Sequence, residues 1–173
     1  MNKDKVEAEK TISNGAITFF IIVTSIVMTL VSYSRYVKKY LNVNEKINDQ
    51  IFGLIDKMYV SSGKEKEILL VFTVISGLIM ILLGFVVYKV IFKITQNRIS
   101  DFEIFIAISV AYVLSFYVSA FLLGRINNVV VMVISNIVEM AIVFGLLSGK
   151  MKSKQLLCIV LRCIVMAINF LLI

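Results

Sequence analysis

The sequence of 173 residues contains no histidine, tryptophan or proline, and only two cysteines. Most zinc and haem sites are therefore excluded, because they draw their ligands from histidine and cysteine. Intramembrane enzymes need a nucleophile with a base, paired acids or metal-binding histidines, and no such set is recognisable. No glycine-rich phosphate loop occurs either, so we expect no ATP site. The sequence predicts neither a cofactor nor an enzyme.

The two cysteines, Cys158 and Cys163, lie in the same apolar run near the C-terminus. Five helical residues turn through about 500°, which leaves the two side chains about 140° apart around the axis. They therefore do not share a helix face, and we expect two free, buried thiols.

Hydrophobic residues are present in excess, at 60% of the chain with a mean hydropathy of +0.95. Soluble domains contain about 45–50% apolar residues. A chain of this size cannot bury such an excess in water, so the lipid bilayer must be the solvent for much of it. The net charge of +7 comes from lysines and arginines clustered between apolar runs. That pattern is typical of topology signals and anionic-lipid contacts, and we expect no nucleic-acid partner.

A helix of about 20 apolar residues crosses a bilayer. The first apolar run is too long for a cleaved signal peptide and no small-residue cleavage site follows it, so we expect it to stay as an anchor. We predict an all-α, polytopic membrane protein with a single transmembrane domain, 1–173, built as a bundle of five transmembrane helices plus one amphipathic interfacial helix. The predicted spans are 15–34, 68–92, 102–124, 128–148 and 155–173.

Lysine and arginine counts predict the orientation of the chain. With the N-terminus in the cytoplasm, the inner segments carry nine of these residues and the outer segments eight. The second half of the chain decides the predicted orientation, because the turn 149–154 has three lysines and the turn 124–128 has one arginine. A basic cluster just after the first span, at 35–39, favours the opposite orientation. We expect a multi-pass protein of the cell membrane with a cytoplasmic N-terminus and an exterior C-terminus.

The long segment between the first two spans, 35–67, has the periodicity of an amphipathic helix. We predict a helix of about five turns over 40–60 that lies in the membrane interface with its apolar face down. That face either covers the bundle or forms a docking surface for a peptide or a partner helix. The candidate docking residues are Tyr40, Ile47, Ile51, Leu54 and Met58.

Small residues recur every four positions along the third span, at Ala107, Ala111, Ser115 and Ser119. In lipid, the hydrophobic effect does little to bring helices together, so small residues mark the faces where they approach closely. We therefore predict a close helix contact along this ridge.

Two charged residues stand inside the last two apolar runs, Glu139 and Arg162. Folding these runs into a hairpin at 149–154 leaves the two residues offset by about two positions, or about 3 Å along the axis. Either charge alone costs on the order of 3 kcal/mol at the bilayer centre. We therefore predict an intramembrane ion pair.

Three roles for this pair stay open. It fixes the register of the last two spans, lines a polar cavity visited by a substrate or ion, or contacts a partner subunit. Other polar residues of the same two spans are the candidates for such a cavity: Ser135, Asn136, Gln155 and Asn169.

The stretch LGFVVYKVIFKITQNRISDFEIFIAISVAYVLSFYVSAFLLG, 83–124, leads from one span through a short polar turn and a serine-led helix start into the next span. It resembles the Yip family of five-span membrane proteins, and the resemblance covers about 85–155. The bacterial branch of that family often accompanies ABC exporters of peptides. The family offers no catalytic set to transfer to this chain.

The resemblance implies an integral membrane accessory or self-protection subunit of an ABC-type exporter of antimicrobial peptides. The Ile-, Lys- and Asn-rich composition fits a Gram-positive bacterium. One alternative is a membrane subunit of a small-molecule or ion transporter, although five spans without a repeat argue against a complete inverted-repeat transporter. Another is a toxin-immunity membrane protein that acts alone. The expected partners are the bilayer and either exporter subunits or a membrane-active peptide, and the oligomeric state is left open.

Overall fold

All regular secondary structure is helical in the computed structural model, which describes residues 3–58, 65–151 and 155–171, and the side chains of 15–55, 66–151 and 155–167. Within these ranges the helices are α1 Lys3–Val43, α2 Glu45–Met58, α3 Glu65–Ile94, α4 Asp101–Leu122, α5 Asn128–Leu147 and α6 Gln155–Leu171, and a 3₁₀ turn spans Ser148–Lys150.

Four helical segments of the described chain are long and apolar enough to cross a bilayer. Helix α6 is also apolar, but its 17 residues extend only about 26 Å, slightly less than a hydrocarbon core of about 30 Å. The all-helical prediction is confirmed, and α6 is the short apolar helix in the place of the predicted fifth span. The four candidate spans are Gly15–Val43, Lys66–Ile94, Asp101–Leu122 and Asn128–Lys150.

The turn between α3 and α4 is built from local hydrogen bonds that end one helix and begin the next. Gln96, at φ 57°, and Asn97 donate their backbone N–H groups to carbonyls of the last turn of α3, which is the Schellman pattern. Ser100 and Glu103 then form a reciprocal capping box at the start of α4. These bonds satisfy polar backbone groups where the chain reverses direction.

The opposite end of the bundle holds the α1–α2 junction and the α4–α5 turn. Asn44 separates α1 from α2, and its side-chain oxygen accepts a hydrogen bond of 2.9 Å from the Asn128 amide at the start of α5. Gly124 has φ 79°, a conformation that favours glycine in the tight turn after α4. The two connections are therefore held together by a polar contact.

Helix α4 lies at the centre of the bundle and packs against α1, α3 and α5, whereas α6 packs against α3 and α5. Ala107, Ala111, Ser115 and Ser119 are all buried, so the predicted contact along this ridge is confirmed. The two serines donate their hydroxyl hydrogen bonds to carbonyls one turn earlier in α4. Small side chains that satisfy themselves in this way let neighbouring helices approach closely.

The outer surface of the bundle is apolar. Phe19, Phe20 and Leu156 expose 69%, 71% and 74% of their surface. Soluble monomers rarely expose large contiguous apolar patches. Such faces on long apolar helices indicate a lipid solvent.

Candidate functional site

A buried ion pair joins α5 to α6. The Arg162 Nη2 atom donates a hydrogen bond of 2.8 Å to Glu139 Oε1, and the two side chains are 8% and 9% exposed. The hairpin between the helices thus brings into contact the two charges that the sequence places at matching depths. Each charge compensates the other in a region where neither is stable alone.

Tyr88 of α3 adds a third helix to this pair. Its hydroxyl donates a 3.0 Å hydrogen bond to the same Glu139 Oε1 atom, and its ring centroid lies 5.4 Å from the Arg162 guanidinium carbon. Tyr88 is fully buried between Phe92 and Phe144. The resulting triad, Tyr88, Glu139 and Arg162, holds α3, α5 and α6 together.

Sequence reasoning missed Tyr88, although one signal was available. It is the only tyrosine in the apolar run 68–92. A buried tyrosine hydroxyl usually finds a hydrogen-bond partner. The carboxylate of Glu139 was an available acceptor.

The triad leaves one polar group of Arg162 unused. Arg162 Nε is buried and has no hydrogen-bond partner among the described residues. Arg162 also lines a cavity of about 420 Å³ between α3, α4 and α6, together with Tyr112. The Tyr112 hydroxyl lies directly against Gly84, where a β-carbon would overlap it. Gly84 thus makes room for this tyrosine.

The other predicted cavity residues do not join the triad. Ser135 is half-buried, and Asn136 donates a 2.8 Å hydrogen bond to the Met132 carbonyl of its own helix. Gln155 is exposed in the first turn of α6 and donates to the Ser148 carbonyl at 3.2 Å. None of these three lines the cavity beside Arg162. The side chain of Asn169 lies outside the described residues.

The predicted docking residues are divided between two helices. Tyr40 belongs to the end of α1, whereas Ile47, Ile51 and Leu54 belong to α2. Ile47 and Ile51 are half-buried, and Leu54 is 57% exposed. Among the side chains of α2 that the structure describes, 45–55, the most buried is Ile55, which the sequence pattern did not single out. The side chain of Met58 lies outside the described residues.

A second polar cluster lies where α6 meets the α3–α4 turn. The fully buried Cys158 thiol donates to the Thr95 hydroxyl at 3.2 Å, and the Asn97 amide donates to the Cys158 sulfur at 3.4 Å. Both cysteines are free, and Cys163 is half-buried. These contacts place the start of α6 next to the end of α3.

A groove between α1 and α4 has a few hydroxyl groups in an otherwise apolar wall. Its volume is about 420 Å³, and its lining includes Thr24, Ser25 and Ser109. Ser109 is 2% exposed, and its hydroxyl has no hydrogen-bond partner in the described part of the chain. The accessible surface of the groove is therefore mainly apolar, and the unsatisfied Ser109 hydroxyl is buried rather than open to it.

No protein-family model, curated protein or solved structure matches the chain. The fold itself defines a class. Several long apolar helices with exposed apolar faces indicate a multi-pass membrane protein. The buried triad is consistent with that class, since charges inside apolar helices are stable only when paired.

Proposed function

We propose that this chain is a five-span membrane protein that acts as an accessory or self-protection subunit beside an ABC-type exporter of antimicrobial peptides. The observation that carries this proposal is the internal pairing of Glu139 with Arg162 and Tyr88. A proton carrier or catalytic acid needs a carboxylate that can exchange protons or touch a substrate. Here the carboxylate joins three helices, which favours a structural polar centre over a proton-transfer or catalytic role.

The five-span arrangement uses α6 as the last span and α2 as an interfacial helix. An apolar helix of about 26 Å crosses a bilayer that thins locally around it, at a modest cost. The buried contacts of Arg162 and Cys158 support a transmembrane α6. The orientation with a cytoplasmic N-terminus is supported by Lys89, Lys93 and Arg98 near the α3–α4 turn, together with the lysines of 149–154.

The groove between α1 and α4 supports a partner helix as the binding target. Hydroxyl-bearing and small side chains mark helix–helix contacts in lipid, because lipid tails offer them no hydrogen bonds. Thr24 and Ser25, which line the groove, present this chemistry. A transmembrane helix of the exporter with a serine, threonine or small residue at this depth would fit. The exporter itself is supported by the resemblance of 85–155 to the bacterial Yip branch.

Copurification tests the proposal. Tagged wild-type protein, isolated from its source membrane in a mild detergent, should retain an exporter subunit with an ATP-binding domain. Thr24→Phe fills the α1–α4 groove and should release that partner. Val27→Phe is the matched control, since Val27 is 52% exposed on α1 but does not line the groove.

Two other outcomes would contradict the exporter proposal. Solute flux through liposomes that contain only this chain would identify a transporter. Protection of cells from an antimicrobial peptide, by a chain that copurifies with no exporter, would identify an immunity protein that acts alone.

A further inference from the structure

The cavity beside Arg162 has the form of a groove that is open to the membrane. Ile79 and Leu83, in its α3 wall, are 52% and 59% exposed, so the groove opens on the lipid-facing side. Its volume of about 420 Å³ lies within the range of about 300–1,000 Å³ typical of small-molecule sites. One face of α3 forms the wall, with Ser76, Ile79, Met80, Leu83, Gly84 and Val87.

Two hydrogen-bond donors border this groove without a partner in the described part of the chain. Arg162 is only 7% exposed, and its Nε–H is buried and unsatisfied. Tyr112 is likewise 7% exposed, lines the same groove, and makes no side-chain hydrogen bond among the described residues. An acceptor atom of a ligand in the groove would satisfy the Tyr112 hydroxyl, whereas Arg162 Nε has no accessible surface.

The charge of the triad determines which acceptor fits. Glu139 already neutralises Arg162 through their 2.8 Å contact. An additional anion would leave a net negative charge in an apolar region, which is unfavourable. A neutral carbonyl oxygen accepts a hydrogen bond from Tyr112 without adding charge.

The depth of the groove restricts the ligand further. Arg162 is seven positions into α6, which places it about 10 Å from the start of that helix. A lipid with a charged headgroup keeps that group at the membrane surface. A lipid without one can bring its ester carbonyl to this depth.

We propose that the groove binds one neutral acyl lipid of the diacylglycerol type. Its ester carbonyl accepts a hydrogen bond from the Tyr112 hydroxyl, and an acyl chain lies along the α3 face from Ser76 to Val87. This assignment does not depend on the identity of the protein partner.

Binding to the purified full-length chain in detergent tests this assignment. Native mass spectrometry and the shift in melting temperature are measured with dioleoylglycerol, with its diether analogue, which has no carbonyl, and with oleate. Dioleoylglycerol should bind at one per chain and raise the melting temperature. The diether should bind about tenfold more weakly, as expected for the loss of one hydrogen bond.

Variants locate the site. Tyr112→Phe keeps the ring and should weaken binding of dioleoylglycerol several-fold while the ligand-free melting temperature stays near that of the wild type. Ile79→Phe should block the groove. Ile75→Phe is its matched control, one turn earlier on α3, because Ile75 is 48% exposed and does not line the groove.

Three results would overturn the proposal. Equal affinity for the diester and the diether would show that no carbonyl is recognised. Preference for oleate would identify an anion site. Binding unchanged by Ile79→Phe would place the lipid elsewhere on the protein.

Discussion

At the scale of single residues, one oxygen atom of Glu139 accepts two hydrogen bonds, from Arg162 and from Tyr88. The two donors differ in charge and therefore in importance. Loss of Arg162 leaves a buried carboxylate without a counter-ion, whereas loss of the Tyr88 hydroxyl removes one neutral donor and keeps the ion pair. The order of the stability effects follows from this difference.

Glu139→Gln and Arg162→Gln should each destabilise the protein by about 3–5 kcal/mol, because each leaves an uncompensated buried charge. The double variant should lose less than the sum of the two, since neither charge then remains. The exchanged pair, Glu139→Arg with Arg162→Glu, should recover part of the loss. Tyr88→Phe should cost about 1 kcal/mol. Reversible unfolding in detergent measures these differences.

Glu103→Gln is the matched control for the loss of an acid. Glu103 pairs with Lys150 at an exposed position, and glutamine keeps the capping-box geometry at the start of α4. Little change is expected there. Strictly additive effects of the changes at Glu139 and Arg162 would contradict the coupling of the pair.

Gly84→Ala should destabilise the bundle, because the new β-carbon would overlap the Tyr112 hydroxyl. Adding Tyr112→Phe removes that hydroxyl and should restore part of the stability, since the ring carbon Cζ, 2.8 Å from the new β-carbon, must still shift slightly. Gly145→Ala is the control, since a β-carbon there meets no atom within 4 Å. This control should be neutral or more stable by about 0.5–1 kcal/mol. Melting temperatures of the variants test the prediction, and failure of Tyr112→Phe to rescue Gly84→Ala would contradict it.

A contact between two residues could be predicted from the sequence where two helices joined by a short turn were enough to determine it. The Glu139–Arg162 pair follows from one hairpin, because two adjacent helices joined by a short turn must run antiparallel. Tyr88 could not be assigned in this way, since its position depends on how α3 packs against that hairpin. The space that Gly84 leaves for Tyr112 likewise depends on the packing of α3 against α4.

At the scale of elements, the amphipathic segment shows that the point where one helix ends and the next begins can depend on tertiary contacts. The sequence predicts one helix over 40–60, but the structure ends α1 at Val43 and starts α2 at Glu45. The helical period continues through the junction, so periodicity alone does not locate the break. Asn44 marks it and is held by Asn128 of α5, which is distant in sequence.

Helix α2 should exchange its amide hydrogens slowly in a lipid nanodisc. Residues 47–55 make helical hydrogen bonds, and Ile55 is buried against the bundle. Hydrogen–deuterium exchange by mass spectrometry measures this protection. Exchange as fast as that of an unstructured peptide would contradict the presence of a stable helix.

Substitutions at two neighbouring residues of α2 test whether this helix only covers the bundle or also docks a partner. Ile55→Asp places a charge in a buried position and should lower the melting temperature strongly, whereas Leu54→Asp lies at an exposed position and should not. If α2 docks a partner, Leu54→Asp should weaken copurification without a loss of stability. Retention of the partner by Leu54→Asp would favour the simple covering role.

At the scale of the whole molecule, α1, α3, α4, α5 and α6 alternate in direction. The α3–α4 and α5–α6 turns meet at one end, through Lys150 with Glu103 and Cys158 with Thr95. The α1–α2 junction and the α4–α5 turn meet at the other end, through Asn44 and Asn128. Alternation was predictable from the apolar runs, since short turns join antiparallel helices. The central position of α4 was indicated only by its ridge of small residues.

Cysteine labelling in intact cells tests which end faces the cytoplasm. In a background of Cys158→Ser with Cys163→Ser, Asn128→Cys should react with a membrane-impermeant maleimide, and Gly149→Cys should react only after the membrane is opened. The expectation rests on the lysine contrast between 149–154 and 124–128. Labelling of Gly149→Cys in intact cells would reverse the assignment.

The ion pair between α5 and α6 also bears on how the chain enters the membrane during synthesis. Glu139 leaves the ribosome before Arg162, so for a time α5 carries an acid without its base. A lone charge is costly at the bilayer centre. It is therefore energetically favourable for the two helices to leave the translocation channel together as a hairpin, with their charges already neutralised. A chain cut before α6 would present an unpaired acid in α5, a feature by which membrane quality control could distinguish an unfinished protein from a complete one.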